Sequence, residues 1–173
     1  MNERNLAASV RARLLNHARK TRQDFNLVLN RYAIERLLYR ISVSKYSDNF
    51  LLKGALLFDL WFDIPHRPTR DADLLSFGSA EQPHIEGIFK KICSIRAPDG
   101  VTFQPDTVKA SNIREETSYT GVRVMLLGII DALHLSLVCC CLSSSAMASR
   151  LAWASSSRVR ARNCSTISSG LET

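Results

Sequence analysis

The sequence predicts an α+β fold in which N-terminal helices pack on a mixed β-sheet. Three observations lead there. Apolar residues recur at helical spacing over residues 5–22 and 24–41. Short strand-like runs separated by turn signals then extend from Phe50 to Val138. One helix-period segment, Gln82–Cys93, interrupts those runs. A chain of 173 residues with 46% hydrophobic and 23% charged residues has the composition of a globular domain and the length for one buried core.

The first helix, residues 5–22, places Leu6, Val10, Leu14, Leu15 and Ala18 near one face. The second, residues 24–41, starts at Asp24, a residue suited to cap free backbone N–H groups. Leu27, Ile34, Leu37, Leu38 and Ile41 form its apolar positions. Ser42 to Asn49 is a polar connection. Phe50–Lys53 reads as a short buried strand that ends at Gly54, with a helix over Ala55–Phe62 behind it. Pro65 and Pro68 deny regular structure to the loop that follows. Arg70–Phe77 reads as the next strand. In helix Gln82–Cys93, Ile85, Ile88, Phe89 and Ile92 point inward. Asp99-Gly100 marks a turn. Val101–Phe103, Thr107–Ile113 and Tyr119–Ile130 read as strands, the last two paired antiparallel. Leu133–Val138 follows a tight turn at Asp131-Ala132. The chain divides into a helical segment (residues 1–48), a core (49–138) and an irregular low-complexity tail (139–173).

Asp71 and Asp73 carry the chemistry. Residues i and i+2 of a strand share a face, so the two carboxylates project side by side. Like charges that close repel unless a cation lies between them. Hard cations such as Mg²⁺ take oxygen ligands, often one or two carboxylates completed by substrate phosphates. Upstream, the strand-to-helix bend at Gly54 frees backbone N–H groups that suit phosphate. The bland alternative makes Asp71 and Asp73 a surface pair that meets Arg67 and Arg70.

Together, the Gly54 bend, the helix-length spacer and Thr69-Arg70-Asp71-Ala72-Asp73 resemble the DNA polymerase β-like nucleotidyltransferase superfamily. The closer resemblance is to the AbiEii/AbiGii toxin family, over about Phe25 to Leu137, through Arg31–Arg40, Leu52–Phe58, Pro65–Leu75 and Tyr119–Val124. That resemblance implies a nucleotidyltransferase-like core. It implies a toxin of a bacterial toxin–antitoxin or abortive-infection pair, which transfers a nucleoside monophosphate from NTP to a nucleic acid, with tRNA favoured. It implies Asp71 and Asp73 as catalytic residues and ligands of Mg²⁺, with Mn²⁺ as the alternative ion. It assigns Lys53, Gly54, Ala55, Thr69 and Arg70 to substrate binding, and a cognate antitoxin as partner. The superfamily usually has Gly-Gly or Gly-Ser at the bend, so Ala55 lacks a hydroxyl. Thr69 fits a phosphate contact or a loop residue bonded to nearby backbone. Lys53 and Arg70 fit phosphate contacts or solvated surface positions.

A third carboxylate normally completes such a site. Asp131 falls in the predicted hairpin turn and does not substitute. After Val138 the family pattern stops. The tail holds four of the five cysteines, ten serines and four arginines, with no acid before Glu172. Such a break reads as a shifted reading frame, and the expectation is a chain with little or no transferase activity. The rival expectation is a catalytically dead nucleotide- or nucleic-acid-binding module.

A net charge of +7 favours anionic partners. Ten of the 23 basic residues lie within residues 1–45 against three acids, so the N-terminal helices are a candidate RNA contact face; a solvated helix surface is the other reading. The apolar run Val124–Leu142 has Asp131 and His134 near its middle, which argues against a membrane span. No signal peptide is evident, and the expected location is the cytoplasm with reduced thiols. His66, His84 and His134 lack zinc-ligand spacing.

Overall fold

A computed structural model describes residues 3–56, 70–79, 81–113 and 121–143 of the chain. Among the described residues it contains three α-helices and one five-stranded mixed sheet, the α+β arrangement that the sequence predicts. The helices are α1 (Glu3–Thr21), α2 (Phe25–Val43) and α3 (Gln82–Cys93). The strands are β1 (Phe50–Lys53), β2 (Asp71–Ser76), β3 (Val101–Ile113), β4 (Gly121–Ile130) and β5 (Leu133–Ser143).

Local sequence explains each start and stop. Asp24 caps α2 by accepting from the Leu27 backbone N–H at 3.0 Å. Pro83 sits in the first turn of α3, where its missing N–H costs nothing. The β4–β5 hairpin turns through Asp131, whose φ of 55° gives the left-handed bend of a two-residue connection. Arg11 of α1 reaches that turn and pairs with Asp131 at 3.1 Å.

The sheet order is β1-β2-β5-β4-β3. The β2–β5 pair is parallel and the other three are antiparallel. Among the described residues, the helices cover one face only. Val10, Leu14 and Ala18 of α1 and Leu29, Ile34 and Leu37 of α2 join Ile88, Phe89 and Ile92 of α3. They meet Ala72, Leu74, Val122, Val124, Leu126, Leu135, Leu137, Cys139 and Cys141 of the strands. Each fully buried Leu or Ile contributes about 1.5–3 kcal/mol against exposure. Phe50 and Phe89 meet edge to face, with centroids 5.6 Å apart.

Arg40 is the largest polar exception in this core. Its side chain is 1% exposed and bonds Asp99 through both terminal nitrogens, at 2.7 and 3.1 Å. It also donates to the carbonyls of Ile95, Arg36 and Val101 and lies over the Phe103 ring. All three of its nitrogens are directed at partners, which is the condition under which a buried charge is tolerated.

Two expectations need correction. Val101–Phe103 and Thr107–Ile113 are one strand, not two; the register slips between Gln104 and Lys109, so Pro105 sits in a bulge rather than a loop. The Thr107 hydroxyl accepts from the Leu127 N–H at 3.0 Å and so stands in for a ladder bond at the bulge. Nor does the irregular tail begin at residue 139. Cys139–Ser143 continue β5, because Cys139 and Cys141 bury like small apolar side chains while β2 and β4 supply backbone partners on both sides. Residues 144–173 lie outside the described residues, as do residues 57–69, which include most of the predicted helix Ala55–Phe62 and the Pro65–Pro68 loop. No helix among the described residues is long and apolar enough to cross a membrane.

Candidate active site

Strand alternation decides what the site contains. On β2, Ala72 and Leu74 face the helices, which leaves Asp71 and Asp73 on the opposite face, left open by the described helices. Asp71 is exposed and Asp73 is half-buried. The two carboxylates therefore share a face, as the sequence predicts.

Gly54 stands directly beside Asp73. Its φ is +78°, and a Cβ added there would meet Asp73 Oδ2 at 2.5 Å. Only glycine provides both the left-handed backbone and the room. The bend and the carboxylate are thus packed against each other, across the β1–β2 pair in which Lys53 is the register partner of Asp73. Helical backbone begins at Ala55, which is exposed. Arg70 is exposed immediately before β2. The structure therefore brings Lys53, Gly54, Ala55, Arg70, Asp71 and Asp73 into one neighbourhood. Thr69 lies outside the described residues, together with His66 and Arg67.

On the other side of Asp73 lies Cys140, a residue that the sequence pattern alone assigns to the tail. Cys140 is the register partner of Asp73 on β5, one strand away, or about 4.8 Å. Burial pushes the Cys140 thiol above its ordinary value; Arg123 beside it draws it down, and the charges of Asp73 and Asp71 push it up again. The group is therefore a neutral thiol at pH 7. Arg123, the partner of Cys140 on β4, is exposed on the same face. The sequence alternation of Leu133, Leu135 and Leu137 with His134 and Ser136 stops at Val138; beyond it only burial alternates, so no sequence signal places Cys140.

The donor set fits a hard divalent cation in part. Asp71 and Asp73 supply carboxylate oxygens on one face beside a backbone bend. Among the described residues no group of three or more His, Cys, Asp and Glu side chains could hold a metal alone. A cation here would complete its shell with phosphate and water, which is the habit of Mg²⁺. Neutral Cys140 is a soft donor and a poor third ligand for that ion. Asp131 lies in the β4–β5 turn, nine residues and about 30 Å of strand from Cys140, so it does not serve as the third acid.

No curated protein matches the chain. Residues 36–135, more than half of it, match the family described as "Nucleotidyl transferase AbiEii toxin, Type IV TA system". That stretch contains the Gly54 bend, both carboxylates of β2, and β1, β3 and β4, and it ends at the start of β5. The chain belongs to the AbiEii family of nucleotidyltransferase toxins of type IV toxin–antitoxin systems.

Proposed function

We propose that this chain binds a ribonucleoside triphosphate at the Gly54 bend and transfers its nucleoside monophosphate to an RNA acceptor, with tRNA the favoured class. The observation that carries this reading is the packing of the Gly54 bend against Asp73, so close that a Cβ added at Gly54 would stand 2.5 Å from Asp73 Oδ2. Asp71 and Asp73 would hold Mg²⁺ or Mn²⁺, an ion that neutralises triphosphate charge and lowers the pKa of an attacking hydroxyl. The residues do the positioning. Backbone N–H groups after Gly54 receive the terminal phosphates, while Lys53 and Arg70 offset their charge. Thr69 is proposed as a hydroxyl contact to the same phosphates. A cognate antitoxin is the expected partner of the family, and the cytoplasm the expected location.

Cys140 favours a second reading, a module that binds nucleotide but transfers slowly or not at all. The side chain beside Asp73 on β5 is a neutral thiol, which adds no oxygen ligand to the two carboxylates. Removing a ligand or base costs about 10²–10⁴-fold in rate.

The test is titration calorimetry of the full chain with each ribonucleoside triphosphate, with and without Mg²⁺, followed by incubation with labelled NTP and total tRNA. Mg²⁺-dependent binding that Asp73→Asn abolishes supports the site. Label transfer to tRNA supports the transferase, and binding without transfer supports the second reading. Absence of Mg²⁺-dependent binding for all four nucleotides would overturn both.

A further inference from the structure

We propose that the acceptor RNA strand lies across the open face of β5, β4 and β3, held by Arg123 and Lys109. This rests on the transfer reading above and says from which side the acceptor arrives.

One register row crosses all five strands: Lys53, Asp73, Cys140, Arg123 and Ser111 are consecutive partners. Directly paired residues share a face, so this row lies on the open side with the carboxylates. The Gly54 bend sits at the β1 end of the row, beside Asp73. With the terminal phosphates at that end, the leaving group departs toward β1. Attacking and leaving oxygens are roughly in line in phosphoryl transfer. The attacking hydroxyl therefore enters from the other side of Asp73, over Cys140 and β4.

The chemistry of that side fits a polyanion. Arg123 is exposed two strands from Asp73. Lys109, also exposed, pairs with Met125 one row further, which puts it diagonal to Arg123 at about 7–8 Å. Neither cation forms an ion pair with an acid among the described residues, although Asp106 lies nearby in the β3 bulge. Met125, 41% exposed between them, offers apolar surface to a sugar or base, and the exposed Ser111 offers a hydroxyl. Two cations that flank an apolar side chain beside the reacting centre match an RNA single strand approaching by its end.

The N-terminal helices, which the charge count nominates, do not share this face. Val10, Leu14 and Ala18 turn α1 onto the opposite side of the sheet, with Arg13, Arg19 and Lys20 exposed there. An acceptor held only by α1 would have the sheet between it and the carboxylates.

The experiment measures affinity of the full chain for total tRNA and for a single-stranded RNA oligomer by fluorescence anisotropy across a salt series. Calorimetry with MgATP, MgGTP, MgCTP and MgUTP runs alongside. The double variant Arg123→Gln/Lys109→Gln should bind both RNAs at least 10-fold more weakly and lower the slope of log K against log salt by about 2, one for each phosphate that the variant no longer neutralises. Its triphosphate affinity and melting temperature should match wild type, since both side chains are exposed. The variant Arg13→Gln/Arg19→Gln/Lys20→Gln should keep RNA affinity within about 3-fold. The proposal is overturned if the double variant binds RNA like wild type, if the α1 variant alone abolishes binding, or if wild type binds no RNA. Loss of RNA binding in the double variant of a chain that binds no triphosphate would retire the transfer reading and keep the RNA surface.

Discussion

Gly54 and Asp73 occupy each other's space so closely that a single methyl group on the former would stand 2.5 Å from a carboxylate oxygen of the latter. The strand pair β1–β2 enforces this, since the residue before the bend is the register partner of Asp73.

Gly54→Ala should therefore damage the site twice. A left-handed φ costs a non-glycine residue about 1–2 kcal/mol, and the new methyl displaces the Asp73 carboxylate. The expected result is a melting temperature lower by a few degrees and Mg²⁺-dependent triphosphate affinity lower by at least 10-fold. Calorimetry and a thermal melt check both. An unchanged affinity would show that the bend does not receive phosphate.

Cys140→Asp should convert a neutral thiol into an oxygen ligand beside Asp73. Without divalent ion, three carboxylates on one face repel, and the variant should melt below wild type. With Mg²⁺ the order should reverse, and label transfer to RNA should rise by at least 10-fold over the parent chain. Melting curves with and without Mg²⁺ and a transfer assay read the two effects separately.

Arg40→Met should be severe. It leaves the Asp99 carboxylate buried with the Val101 N–H as its remaining donor among the described residues, and breaking a buried pair costs about 3–5 kcal/mol. For a chain of this length the expected fall in melting temperature is about 10 °C. Arg40→Met/Asp99→Asn should recover part of it, because the second change removes the stranded charge. Urea denaturation of the three proteins gives the comparison.

Glu35 supplies a pH dependence. Burial raises its carboxyl above the usual value of 4.5, against the opposing pull of Arg31, which bonds it at 3.3 Å. A folded-state pKa above the unfolded one means that the protonated form is favoured by folding. That contribution is fully present below about pH 4.5 and disappears as pH rises through the folded value. Glu35→Gln should thus gain stability relative to wild type as pH climbs above about 4.5 through the folded value, then run parallel to it. Denaturation midpoints at half-unit steps would show a flat difference if the group were not shifted.

Much of the architecture is legible in the sequence because local chemistry fixes it. Phe50–Lys53 and Gln82–Cys93 match the expected bounds, the one stopped by Gly54 and the other opened by a proline. Asp24 caps as its type suggests. Strand order is not legible, since the parallel partnership of Asp71 with Val138 joins residues far apart in sequence. Cys139–Ser143 escape a strand assignment because three adjacent cysteines show no polar–apolar contrast, although their burial alternates. At the site, the shared face of Asp71 and Asp73 follows from spacing alone. Arg123 does not, because a basic residue in a strand gives no sign of which neighbours the sheet will assign it.

The placement of β5 between β2 and β4 also sets a timetable for synthesis. As the ribosome extends the chain, β2 emerges about sixty residues before the strand that will become its inner neighbour. Until residues 133–143 leave the exit tunnel, the aspartates can rest only on a two-stranded hairpin, a form marginal in water. In a chain built this way, the face that carries Asp71 and Asp73 is completed only when β5 inserts between β2 and β4.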